Sequence, residues 1–181
     1  FVNLDVPNAF ATGRDVRHAA VAVTKGLLDK LDDKEIEAVL AHEIGHVKNH
    51  DTLIATMAAT IAGAISWLAY AFYFGNERNR NALSFVLLFF LAPLAATLVR
   101  LAISRSRELS ADRTGAMLSN PLDLASALQK ISHYAAAHPL RGNSATSHLF
   151  IVNPFAGDSL VSLFSTHPPV EERVARLKSM K

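Results

Sequence analysis

Two long stretches without a charge limit what this chain can become. Residues 52 to 76 carry no charged side chain, and neither do residues 81 to 99. At about 1.5 Å of rise per residue, each run is long enough as a helix to cross a hydrocarbon layer of about 30 Å. The polar connector Gly75-Asn76-Glu77-Arg78-Asn79-Arg80 reads as a turn that sends the chain back to the side it left. A chain of 181 residues is too small to surround two helices that are apolar all round, so a transmembrane hairpin is expected instead of two core helices. The hydrophobic content of 50% is in keeping with this. So is a mean hydropathy of +0.21, high for a soluble domain of this length. Pro93 is expected to bend the second span.

Charge then orients the hairpin. Lys48, Arg100, Arg105 and Arg107 flank it on the side of the remaining chain, against Arg78 and Arg80 in the turn. The tendency of positive residues to stay inside puts that remainder in the cytoplasm. Net charge is only +2, with no clustering of Lys and Arg, which argues against a nucleic-acid partner. The absence of cysteine excludes disulfides and thiolate metal ligands. The chain starts at Phe1 without a signal-peptide layout and is expected to be the later part of a longer protein.

Just before the first apolar run stands His42-Glu43-Ile44-Gly45-His46, an H-E-x-x-H pattern. The preceding Asp32 or Asp33 can cap a helix, and Glu35 and Glu37 suit its first turn. Ile36, Val39, Leu40, Ile44 and Val47 recur at helical spacing and are expected to face the core. On that helix His42 and His46 lie one turn apart and can share a metal ion, while Glu43 points beside it as a proton acceptor for water.

A third ligand must come from elsewhere, because catalytic zinc commonly takes three protein ligands. Glu108 follows the second apolar run and is the preferred candidate. Asp112, one turn further on, suits a carboxylate that accepts a hydrogen bond from a ligand histidine. His50 and Asp51 are rival ligands, although three ligands along one straight helix converge poorly on a tetrahedral ion.

The rest is support. Asn8 to Thr12, ending at Gly13, and Ala20 to Thr24 carry strand signals and read as an antiparallel hairpin. It either covers the motif helix or offers an edge to an extended peptide, and the residues alone favour the covering role. A helix is expected over residues 121 to 138, with Asn120 as cap and Leu122, Leu124, Ala125, Leu128, Ile131 and Ser132 toward a buried side. Residues 139 to 147 read as a loop and 148 to 152 as a short strand. His167, followed by Pro168 and Pro169, is a conformationally restrained histidine, suited equally to capping a helix or to donating to an oxyanion.

Taken together, these blocks resemble the HtpX-type membrane zinc metalloproteases, related to the CaaX prenyl proteases. The resemblance rests on Asn8-Ala9-Phe10-Ala11-Thr12, the H-E-x-x-H block, the apolar pair after it, Glu108 with Asp112, and His167-Pro168-Pro169 with Arg173. It implies one zinc ion per chain on His42, His46 and Glu108, with Glu43 as general base. It further implies Asp112 beside a ligand histidine, His167 as transition-state stabiliser, Arg173 holding the site together, and Asn8, Ala9, Phe10 and Ala11 aligning substrate backbone. The expected fold is α+β and mostly helical: a zincin-like catalytic domain with a small antiparallel β layer, interrupted by a transmembrane hairpin. The expected divisions are residues 1–51, 52–103 and 104–181. The implied activity is a zinc-dependent endopeptidase of the cell (inner) membrane, multi-pass, with its active site in the cytoplasm. Its polypeptide substrates would be damaged or misassembled membrane proteins, cut by Glu-assisted attack of zinc-bound water. Family members carry two further membrane helices ahead of the hairpin that starts at Phe1. The alternative is a noncatalytic zinc-binding membrane scaffold, with His50 or Asp51 closing a four-ligand site.

Overall fold

In the computed structural model the described residues are 1–13, 15–75, 85, 87–139, 150–152 and 167–180. They are mostly helical, with one small sheet. Strand β1 (Ala9–Gly13) pairs antiparallel with β2 (Ala19–Val23), in a register that sets Ala9 opposite Val23 and Gly13 opposite Ala19. Between them, Asp15 accepts from the backbone N–H groups of Arg17 and His18 and so caps a single 3-10 turn, Val16–His18. Gly13 takes φ +136°, a conformation open only to glycine at little cost.

Thr24 joins the hairpin to the helices. Its hydroxyl donates to the Val6 carbonyl at 2.8 Å, accepts from Asn8 N–H at 2.9 Å, and caps helix α1 (Lys25–Lys30). Helix α2 (Asp33–Lys48) starts at Asp32, whose side chain accepts from Lys34 and Glu35 N–H while Glu35 reaches back to the Asp32 N–H. That reciprocal cap does more than begin the helix. Glu35 is buried and also accepts from Ser126 at 2.7 Å and from Lys130, tying α2 to helix α5 (Pro121–Ala137).

The buried face of α2 differs from the expected stripe. Val39 is buried, but Ile44 is 48% exposed, and the burial is carried by Ala38, Ala41 and Gly45 with His42 and Glu43. Small residues bury here because another helix comes close. A Cβ on Gly45 would lie 3.1 Å from the Ala111 carbonyl oxygen, and one on Gly115 would lie 2.9 Å from the His42 backbone. Both neighbours belong to helix α4 (Ala92–Leu118) or α2, so the two glycines set their approach.

Helix α5 has Asn120 as its cap and Pro121 at its first position, as expected. Leu124, Ala125, Leu128 and Ile131 are buried, whereas Leu122 is 57% exposed. They form one core with Leu27, Leu31, Ala38, Val39, and Val174 and Leu177 from helix α6 (Val170–Ser179). Beyond Pro139, the loop expected over 139 to 147 and the first residues of the expected strand at 148 to 152 lie outside the described residues; Phe150 to Val152 form a bend, not a strand.

Contacts divide the chain into two units, one of Phe1–Thr52 with Ser104–Lys181 and one of Leu53–Ile103. The second unit contains most of helix α3 (Asp51–Gly75). Among the described residues one helix is long and apolar enough to cross a membrane, over Asp51–Leu68. Its side chains are largely exposed, among them Ile54, Met57, Ile61, Ile65 and Leu68. Its Thr60 and Ser66 hydroxyls donate to carbonyls one turn back, at 2.8 and 2.9 Å, so they present no unpaired donor. Near Pro93 the path changes from a π-helical turn, Leu87–Leu91, to α4, with Pro93 in its first turn. Of the connector expected at 75 to 80, Gly75 ends α3 and the rest, with the start of the second span, lies outside the described residues.

Candidate active site

His42 and His46 project from the same side of α2, and their Nε2 atoms stand 3.2 Å apart. Each ring is held from behind. His42 Nδ1 is 3.0 Å from Asp112 Oδ1 on α4, and His46 Nδ1 is 2.6 Å from Asp51 Oδ2 at the start of α3. A carboxylate behind each Nδ1 keeps the proton there, which leaves the Nε2 lone pairs pointing at a common space. Glu108 closes that space: its Oε1 lies 3.5 Å from His46 Nε2 and its Oε2 3.9 Å from His42 Nε2.

The ligand atoms of His42, His46 and Glu108 all lie within 4.8 Å of one another. Two facing nitrogen lone pairs beside a buried carboxylate repel unless a cation lies between them, so this donor set fits a divalent metal ion. Among the described residues only this group converges in that way. His50, a rival ligand in the sequence, is exposed, and Asp51 meets the far side of the His46 ring.

Glu43 is buried beside the pair. Its Oε2 accepts the backbone N–H of Ala11 at 2.9 Å, so β1 holds the carboxylate of α2 in place. Burial pushes the Glu43 carboxyl above its usual value, and the Glu108 charge adds to this while His42 and His46 oppose it. Glu108 behaves oppositely. Burial also acts to raise it, but the bond and charge of His167 together with Arg173 outweigh that and hold it well below the carboxylate range. His46 is raised, because the Asp51 bond and the charges of Glu108 and Glu43 overcome the effect of burial.

Arg173 ties the C-terminal helix to this centre. It is 0% exposed. Its Nε and Nη2 donate to both Asp112 oxygens at 2.8 and 2.7 Å, its Nη1 donates to the Ile151 carbonyl at 3.1 Å, and Nη1 lies 3.6 Å from Glu108. Burial works to raise Asp112, but Arg173 and then His42 prevail and bring it down to about 2. His167 Nδ1 lies 3.0 Å from Glu108 Oε2. Asn8, just before β1, turns its side chain inward, where Oδ1 accepts Ile151 N–H at 3.1 Å.

His42, Glu43, His46, Glu108, Asp112, His167 and Arg173 thus meet in one place, with Ala11 touching Glu43. What the sequence did not single out as a partner is Asp51 behind His46, together with Arg107, whose Nη1 donates to the Asp51 carbonyl at 3.2 Å. The available signal was an acid at the head of an apolar helix, five residues after the second histidine of H-E-x-x-H.

A mostly helical fold with a small two-stranded sheet carries a largely buried two-histidine, one-carboxylate group, built on H-E-x-x-H, that could hold a metal ion as hydrolase centres do. The chain belongs to peptidase family M48, whose sequence profile matches residues 1–181. It is 54% identical over 180 residues to a Protease HtpX homolog of Salinibacter ruber, covering 97% of this chain and 65% of that protein. To a Protease HtpX homolog of Pyrococcus furiosus it is 54% identical over 185 residues, covering 97% of this chain and 64% of that protein. The chain therefore spans somewhat less than two thirds of these curated relatives. The resemblance drawn from the motifs is borne out. In fold, it is similar to the crystal structure of Ste24p from S. mikatae, with a TM-score of 0.63 at 22% identity, over 96% of this chain and 42% of that one.

Proposed function

We propose that this chain carries the catalytic machinery of a zinc-dependent membrane endopeptidase. The observation that carries the reading is the convergence of His42, His46 and Glu108, with the buried Glu43 carboxylate next to them. Three protein ligands leave a zinc ion one open position, as in hydrolytic centres and unlike closed structural sites. When bound, zinc supplies Lewis acidity toward water and the scissile carbonyl.

The chain's own groups do the rest. Glu43, with its affinity for protons raised by burial, accepts the proton of the attacking water and returns it to the departing amine. The Ala11 N–H keeps the carboxylate aimed while it does so. Asp112, clamped by Arg173, orients the His42 ring. His167 donates to the developing oxyanion, and residues 8 to 11 align the substrate backbone along the β1 edge. The apolar exposed side chains of α3 face lipid, and residues 52–103 cross the membrane as a hairpin between the two parts, 1–51 and 104–181, of a zincin-like domain. The protein sits in the cell (inner) membrane with the site in the cytoplasm, and its substrates are damaged or misassembled membrane proteins.

The test is zinc content alongside cleavage of an unfolded model protein, for the detergent-purified protein and its Glu43→Gln variant. About one zinc in both, with cutting by the parent alone, is the expected result. Turnover by a zinc-loaded Glu43→Gln variant overturns Glu43 as base. Zinc in both without cleavage by either favours the noncatalytic scaffold.

A further inference from the structure

Asp51 is buried, yet it stands outside the metal-competent group. The chain reaches it through an unusual turn. His50, between the end of α2 and the start of α3, adopts φ 57°, a left-handed conformation that non-glycine residues seldom take. That turn brings Asp51 back over the ring of His46, where Oδ2 meets Nδ1 at 2.6 Å. Arg107 holds it from the other side, donating Nη1 to the Asp51 carbonyl at 3.2 Å, with Nε 4.0 Å from Oδ1.

Each histidine therefore has a carboxylate at Nδ1 and an arginine beyond it. Arg173 grips both oxygens of Asp112, which faces His42 Nδ1, whereas Arg107 holds the backbone carbonyl of Asp51, whose carboxylate faces His46 Nδ1. We propose that Asp51 is the positioning residue of His46, locking its ring so that Nε2 faces Glu108, and that Arg107 holds Asp51 in that role. This rests on the zinc reading of the site. A carboxylate behind a ligand imidazole fixes the tautomer and makes the metal-facing nitrogen more basic, and losing such a partner typically weakens metal affinity about 10- to 100-fold. An acid at the first turn of a helix can also act on the helix alone, by opposing its dipole. The two roles separate in what they move.

The experiment measures zinc affinity of the detergent-solubilised protein by competition with a chromophoric chelator, for the parent, Asp51→Asn, Asp51→Leu and Arg107→Gln. The unfolding temperature of each zinc-free protein is recorded alongside. Expected is a loss of affinity of about 10- to 100-fold for Asp51→Leu. Asp51→Asn, which keeps an acceptor oxygen, loses less, and Arg107→Gln falls in the same direction. The cobalt-substituted Asp51 variants show a displaced visible absorption band. Unchanged zinc affinity in both Asp51 variants, with only the zinc-free unfolding temperature lowered, overturns the proposal in favour of a helix-end role. If Asp51→Leu does not fold, unchanged affinity in Asp51→Asn and Arg107→Gln overturns it equally. A parent that binds no zinc overturns the reading of the site and this inference with it, a result distinct from a parent that binds zinc and variants that bind it equally well.

Discussion

Arg173 and Asp112 share two parallel hydrogen bonds, of 2.8 and 2.7 Å, between residues 61 positions apart. Arg173 is completely buried, and the carboxylate it holds is the one that faces His42. The pair links the C-terminal helix to the centre of the site.

Arg173→Leu is expected to strand two buried carboxylates, Asp112 and Glu108. Breaking a buried pair from one side costs about 3–5 kcal/mol. Denaturant unfolding would register this as a large fall in midpoint, and Arg173→Lys, which retains charge but not the two-pronged geometry, would fall between.

Acid should unfold the zinc-free protein partly through Asp112. Its carboxyl is held at about 2, against 3.8 unpaired, so the folded state favours the ionised form. That contribution, about 2 kcal/mol, is complete above pH 3.8 and is lost as pH falls toward 2. A urea-midpoint series across that range should be shallower for Asp112→Asn than for the parent, and equal slopes would contradict the assignment.

Glu43 predicts the opposite sign. Its folded value is raised from 4.5, so ionisation opposes folding increasingly as pH rises past that point. Zinc-free Glu43→Gln should unfold at a higher temperature than the parent at pH 7, and the gain should disappear at pH 4, where both side chains are neutral. A variant less stable than the parent at pH 7 would indicate that the Ala11 bond outweighs the burial of charge.

Gly115→Ala should damage the site without removing any of its functional groups, since the added Cβ would also lie 3.2 Å from the His42 Cβ. The added Cβ would stand 2.9 Å from the His42 Cα and backbone nitrogen, neither of which can rotate away. A stability loss of about 1–3 kcal/mol, with weakened zinc binding, is expected. Gly63 meets nothing within 4 Å, so Gly63→Ala serves as the tolerated control, read by the same unfolding and zinc measurements.

Local rules made much of the chain legible. Asp32 and Asn120 cap helices because short polar side chains satisfy the orphan N–H groups next to them. The uncharged run became a long apolar helix, Asp51–Gly75, and the i, i+4 spacing put His42 and His46 on one side of α2, because both depend only on neighbours in sequence. Which face of α2 would be buried was not legible. A hydrophobic stripe pointed to Ile44, but Gly45 and Gly115 let α4 approach so closely that small residues took the interior and Ile44 was left outside. The same packing decided who stands behind each histidine. Asp112 and Asp51 reach the rings through the crossing of α2 with α4 and the left-handed turn at His50, and the return of α6 brings Arg173 onto Asp112. The sequence by itself determined the donor atoms and the helix that displays two of them. The direction in which each ring points was decided only by tertiary structure, because an imidazole is free to turn until a second, distant group takes its other nitrogen.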